Sequence, residues 1–265
     1  MPSVLFILTS ANKTVTGNQT GYYLPEAAHP YWVLEPHVKI DFASPKGPNP
    51  PIDASSIKDF GKDEGCIRYL NDQTVKEKLA HTKKLSEVNV ADYDAIFYVG
   101  GLGPVQDLPV DPLNAKLASQ ASVEPSEKTG SVLTTSSQHY QAGKITAAVC
   151  HGPAALVGAV DASGKSIFQS KNFTGFSNTE EELADKTKEV PFSLEDKIQE
   201  LGGKFSKASE PWAASRFRLV PSFTDLLSHL QSHVVVDGIL ITGQNPGSAH
   251  ATGEAILKAL KRNLK

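Results

Sequence analysis

The stretch Ile145-Thr146-Ala147-Ala148-Val149-Cys150-His151-Gly152-Pro153-Ala154-Ala155-Leu156 decides how this chain folds. Ile145 to Val149 is a short apolar run, the pattern of a strand buried on both faces of a parallel sheet. Gly152 and Pro153 open a small-residue segment, and proline suits a first helical turn. Cys150 stands at the joint, with Ala148 two residues before it and Gly152 two after. That is the small-x-nucleophile-x-small spacing of a nucleophile elbow, a turn so sharp that only small side chains fit beside it. A helix starting beneath the thiol is expected to lower its pKa. His151 follows as a base or a stabilising cation. A cysteine at a strand end also packs well as a small hydrophobe; the flanking Ala, His, Gly and Pro favour the nucleophile.

The rest of the chain supplies the sheet around that joint. Val4 to Thr9, Val38 to Ala43 and Ala95 to Val99 read as further strands, separated by polar loops and helical segments. Strands alternating with helices imply a flavodoxin-like α/β sandwich, a mostly parallel sheet with helices on both faces. Asp237-Gly238, between Val234–Val236 and Ile239–Ile241, signals a small β-hairpin. Gly243 to Ala249 leads into a terminal helix. With no internal repeat and no domain boundary in view, the 265 residues are expected to form one domain.

Composition narrows the function classes. Hydrophobic residues make up 40% and charged residues 21%, with a net charge of −3, so there is no electrostatic case for nucleic acid or an anionic membrane. Two cysteines, Cys66 and Cys150, make neither a disulfide framework nor a zinc-ligand cluster and point to a reducing compartment. Cys66 follows Gly65 without an evident acid–base neighbour and reads as structural. Met1-Pro2-Ser3 enters a strand directly, without a signal-like segment, so the cytoplasm is the expected location, with the nucleus also open.

Three further segments carry candidate site residues, and the first of them falls where ligands bind in such sheets. Gly100-Gly101-Leu102-Gly103 follows a strand, and its backbone N–H groups are free to turn toward a bound oxygen, although an ordinary glycine turn has the same composition. Leu24-Pro25-Glu26 starts a helix with a carboxylate in its first turn, a placement that dipole complementarity alone explains. The same holds for Glu180-Glu181-Glu182, in a helix that Asn178 or Thr179 is expected to cap.

These pieces together resemble one family. The elbow resembles the ThiJ/PfpI members of the class I glutamine amidotransferase-like superfamily. Gly21-Tyr22-Tyr23-Leu24-Pro25-Glu26-Ala27-Ala28-His29-Pro30 resembles the segment that supplies the active-site Glu in its glutathione-independent glyoxalase branch, with Glu26 at the matching position. Ser44-Pro45-Lys46-Gly47, Pro51-Ile52-Asp53 and Val190 to Asp196 are family-like as well. The pattern Thr-Gly-Phe-x-x-x-x-Glu places its triad acid six residues after Gly175, on Glu181, with Glu180 as the neighbour one register away. The family's loop usually reads Gly-Gly-His-Gly, so Leu102 replaces a histidine and keeps only the backbone donors. Two stretches depart from the pattern, near 119–142 and 213–232. Ser122 to Gln141 of the first reads as a flexible surface loop.

The resemblance implies conversion of methylglyoxal, a small 2-oxoaldehyde, to D-lactate without glutathione, metal or organic cofactor. Cys150 is the implied nucleophile, His151 the base oriented by Glu181, and Glu26 the carboxyl sharing a proton with the sulfur. The N–H groups of Gly101 and His151 are the implied oxyanion donors. A homodimer is the expected assembly. The alternatives are a stress-related holding chaperone, with Ala213 to Ser232 as its apolar surface, a cysteine redox sensor, and a cysteine amidase or peptidase.

Overall fold

Val4 to Leu8 have no exposed surface, and alternate residues enter two separate cores. Val4, Phe6 and Leu8 pack on one face of the sheet, while Leu5 and Ile7 pack on the other. That division is what a two-layered parallel sheet requires of an unbroken apolar run. The computed structural model describes residues 1–117, 139–209 and 232–263.

Nine strands are present among the described residues: β1 (Ser3–Ile7), β2 (Lys39–Ser44), β3 (Lys83–Lys84), β4 (Ala95–Tyr98), β5 (Ile145–Val149), β6 (Asn172–Phe173), β7 (Lys204–Phe205), β8 (Val234–Asp237) and β9 (Leu240–Gly243). Seven of them form the main sheet in the order β3-β2-β1-β4-β5-β9-β8, and β6 and β7 pair separately. All main-sheet pairs are parallel except β8 with β9. The expected flavodoxin-like sandwich is therefore the observed architecture. In the hairpin, Asp237 pairs with Leu240, so the turn residues are Gly238 and Ile239, one position later than the sequence suggests. Gly238, at φ +66°, supplies the left-handed conformation the turn needs.

Among the described residues the named helices are α1 (Leu24–Leu34), α2 (Ala54–Asp59), α3 (Glu64–Asn71), α4 (Gln73–Ala80), α5 (Leu102–Asp107), α6 (Pro112–Leu117), α7 (Asn178–Leu183), α8 (Leu194–Glu200) and α9 (Ala249–Asn263). Tyr31 and Leu34 of α1 and Ile256 and Leu260 of α9 cover one face. Val105 of α5 and Leu194 and Ile198 of α8 cover the other. No helix among the described residues is long and apolar enough to cross a membrane.

The sheet order reverses between β1 and β4, and the loops after β1, β4 and β5 open at the same edge. Such a switch point leaves a crevice beyond the carboxyl ends of the strands. Asp107, at the end of α5, anchors one of these loops. Its carboxylate accepts from Thr9 Oγ1 (2.8 Å) and from the N–H groups of Ser10 (2.7 Å) and Ala11 (2.9 Å), pinning the loop that leaves β1.

Most of both departures from the family pattern, including the apolar residues after Ala213, lies outside the described residues. The described end of the first departs from the expected flexible loop. Residues 139–141 are helical, and buried His139 is hydrogen-bonded to the Ile145 carbonyl at 3.0 Å.

Candidate active site

The turn at Cys150 has the strain expected of a nucleophile elbow. Cys150 sits at φ +58°, a left-handed conformation that an L side chain rarely adopts. Its neighbours hold it there. The Cys150 N–H donates to the Gly243 carbonyl of β9, and the Cys150 carbonyl accepts from Phe176, both at 2.9 Å. The small flanks are steric necessities. A Cβ on Gly152 would lie 2.5 Å from the Tyr98 carbonyl oxygen, and one on Gly100 would lie 2.3 Å from Glu26 Oε2 and 2.8 Å from Cys150 Cβ. Gly100 thus lets the carboxyl and the thiol-bearing carbon close over the same spot.

The segment after Cys150 differs from expectation. Gly152–Leu156 is a short 3₁₀ turn rather than an α-helix. The thiol pKa differs as well: it lies well above the ordinary cysteine value, not below it. Burial is the main cause, followed by the nearby Glu26 carboxylate; the Gly101 N–H pulls the other way. One short turn cannot offset the desolvation of a fully enclosed sulfur.

His151 joins two partners through its two ring nitrogens. Nδ1 lies 3.4 Å from Cys150 Sγ, and Nε2 lies 2.8 Å from Glu181 Oε2. The ring packs on Phe176 with centroids 4.6 Å apart. This is the nucleophile–base–orienter arrangement of a cysteine triad.

Capping chemistry settles the choice between Glu180 and Glu181. Ser177, not Asn178 or Thr179, caps α7, and Glu180 closes a capping box with it. Glu180 also accepts from Asn245 Nδ2 at 2.8 Å, so its two oxygens are committed to structure. Glu181 is then the residue turned to the histidine, and its Oε1 has no hydrogen-bond partner among the described residues.

Glu26 is completely buried, three residues into α1 behind Pro25. Neither of its oxygens has a hydrogen bond of normal geometry. Burial pushes its pKa up to about 8; the Cys150 thiol works against that rise and the Asp53 charge adds to it. Thiol and carboxyl shift each other's titration, so protons leave this pair as a unit. The pair strongly resists holding two negative charges.

Gly101 completes the constellation. At φ +109° it turns back on the loop, with its N–H toward the sulfur; a Cβ there would lie 2.6 Å from Tyr23 N. Cys150, His151, Glu181, Glu26 and Gly101 therefore converge from four separate segments onto one cavity of about 420 Å³. Leu102 lines it with an apolar side chain.

Contacts between distant segments hold other lining residues in place. Tyr23 donates to Asp59 at 3.0 Å. Glu189 accepts from Thr14, Thr16 and Asn18, joining the loop after β1 to the segment after α7. Such contacts between distant segments leave no local pattern to read.

No family model matches the chain. Across 97% of its length it is 30% identical to the glutathione-independent glyoxalase HSP31 of Saccharomyces cerevisiae, of which it covers 98%. The chain belongs to this glyoxalase family. Solved structures agree with that membership. The 24 kDa rapid encystment protein of Francisella tularensis is 32% identical to this glyoxalase-family chain at a TM-score of 0.79, the match covering 98% of this chain and 99% of that one. Glyoxalase III of Candida albicans is 25% identical at a TM-score of 0.74, covering 97% of each chain. A ThiJ/PfpI domain protein of Brachyspira murdochii, 17% identical at a TM-score of 0.56, shares the fold.

Proposed function

We propose that this chain is a glutathione-independent glyoxalase that converts methylglyoxal and water to D-lactate, a lyase of the D-lactate dehydratase type. The observation that carries the reading is the position of Glu26: a buried carboxyl against the thiol, in addition to the His151–Glu181 pair. A cysteine amidase or peptidase needs the triad and the oxyanion donors. An aldehyde-to-acid rearrangement also needs a proton moved between adjacent carbons, and a second acid–base group at the sulfur serves that step.

The thiol rests protonated. As the sulfur attacks the aldehyde carbon, the thiol proton passes to His151 Nδ1, and Glu181 stabilises the imidazolium through Nε2. The new S–C bond leaves an oxyanion, which receives hydrogen bonds from the Gly101 and His151 N–H groups. Protonation gives a hemithioacetal. His151 then removes the proton bound to the former aldehyde carbon, giving an enediol. Glu26 shares in the transfers, and a proton returned to the neighbouring carbon leaves a lactoyl thioester. Water cleaves the S–C bond, releasing lactate and restoring the thiol. No outside oxidant or reductant enters, because one carbon is oxidised while its neighbour is reduced.

D-lactate formation from methylglyoxal without glutathione, compared between the native chain and Cys150→Ala, tests the reading. Turnover lost in the variant supports it. A folded native protein without turnover refutes it.

A further inference from the structure

Cys66 is not isolated. The structure brings His29 of α1 and Asp63, the N-cap of α3, to its side. His29 Nε2 lies 3.0 Å from Asp63 Oδ1 and 3.9 Å from Cys66 Sγ, and the three donor atoms all fall within 4.8 Å of one another. We propose that His29, Asp63 and Cys66 form a second site on this protein, one that binds a thiophilic divalent cation such as Zn²⁺.

The spacing matches the ion. With Zn–S of about 2.3 Å and Zn–N and Zn–O of about 2.0–2.1 Å, neighbouring ligand atoms of a tetrahedral site stand roughly 3.3–3.6 Å apart. The observed 3.0 and 3.9 Å bracket that range, so small rotations of the side chains suffice. The donor set selects the metal: one sulfur, one imidazole nitrogen and one carboxylate oxygen suit Zn²⁺, whereas Mg²⁺ and Ca²⁺ prefer oxygen alone.

The backbone favours this convergence independently of a metal. Asp63 Oδ1 accepts from the Cys66 N–H at 2.8 Å, which fixes the carboxylate over the first turn of α3. Gly65 provides the clearance: a Cβ there would approach both Asp63 Oδ1 and His29 Cδ2 to 3.3 Å. The sulfur is buried, but the His29 and Asp63 side chains keep 18% and 12% of their surface exposed, leaving an approach from solvent for the ion and a fourth ligand, a water. Binding replaces the thiol proton, which is released, and places the imidazole proton on Nδ1 so that Nε2 can ligate.

The same geometry argues against a second catalytic triad. Thiol and carboxylate face one ring nitrogen, Nε2, whereas a relay uses both nitrogens, as His151 does between Cys150 and Glu181. The expectation that this chain has no zinc-ligand cluster rests on its having only two cysteines. A cysteine count does not register a histidine brought in from another helix. An ion here would bridge α1 to α3, one helical turn from Glu26.

Titration of the full chain with Co²⁺ tests the proposal, because cobalt–thiolate ligation gives a near-ultraviolet charge-transfer band. The band is expected to saturate at one equivalent, to persist in Cys150→Ser, and to bleach when Zn²⁺ displaces Co²⁺. It is expected to vanish in Cys66→Ser and His29→Gln. Asp63→Asn guards against misfolding, since Asn caps helices as well as Asp does; there the apparent Co²⁺ affinity should fall at least tenfold. Absence of the band from the native protein overturns the proposal. So does a band that survives His29→Gln unchanged, or one that disappears with Cys150→Ser.

Discussion

Replacing Glu26 with Gln tests the electrostatics of the site without reference to turnover. In the unfolded chain this carboxyl ionises near its ordinary value of 4.5, and in the fold burial raises it to about 8. Between those values the folded protein holds a proton that the unfolded chain has released. The stability contributed by this group is therefore complete below the unfolded value and is lost as pH rises through about 8. Each pH unit of that interval is worth about 1.4 kcal/mol, so the whole interval amounts to ~4–5 kcal/mol. Gln keeps the shape of the protonated carboxyl and cannot ionise. Urea unfolding of both proteins across the interval should show Glu26→Gln gaining on the native chain, by ~3 kcal/mol at neutral pH relative to about pH 5, with a plateau above the folded pKa. Subtracting the two curves cancels the titrating groups that do not interact with Glu26, and the thiol, held well above its ordinary value, stays protonated in the native fold across this interval. A stability difference that stays flat from about pH 5 to 8.5 would show that Glu26 is ionised in the fold, and the proton-sharing account would fail.

Three other substitutions probe the geometry. Glu181→Gln leaves the helix capped by Ser177 and Glu180 but removes the charge facing His151; kcat should fall ~10²–10⁴-fold with KM little changed, and a variant within threefold of native would remove Glu181 from the mechanism. Gly152→Ala drives a methyl to 2.5 Å from the Tyr98 carbonyl, so the elbow must shift; a cost of ~1–3 kcal/mol in urea unfolding is expected alongside lost activity, and an unchanged midpoint contradicts the packing. Leu102→His places a polar ring in the cavity while leaving the Gly101 donor in place, so KM for methylglyoxal should change more than kcat. A large loss of kcat in a folded Leu102→His protein would mean that the apolar wall acts in the chemistry.

Readability of the sequence tracks how local each feature is. The elbow is carried by five consecutive residues, Ala148 to Gly152, and both its conformation and its place at the sheet edge follow from them. The sheet is legible for the same reason, since β1, β4 and β5 are continuous apolar runs. β3 is not, because its two lysines form a strand only by extending the edge at β2. Glu181 needed the structure to separate it from Glu180, and the separation came from Ser177 and Asn245, the latter 65 positions away from Glu180. The cluster at Cys66 escaped reading because His29 lies 37 residues before it.

The thiol shows the same limit in its sharpest form, and it bears on mechanism. A short turn beneath Cys150 predicts an acidic thiol, yet the sulfur is enclosed and faces a carboxyl from another segment, and those two influences prevail. An unpaired, stabilised thiolate would react with any accessible electrophile. A thiol held neutral between Glu26 and His151 becomes nucleophilic only as its proton leaves for the histidine. In the proposed mechanism its reactivity is thereby tied to the His151–Glu181 pair, and the proton carried on Glu26 stays in the site for the carbon-to-carbon transfer. The strain at φ +58° and the burial of an unpartnered carboxyl are both unfavourable to folding. The fold maintains them where β5 and β4 end beside α1, and in the proposed mechanism the burial keeps the sulfur and its proton together until a substrate separates them.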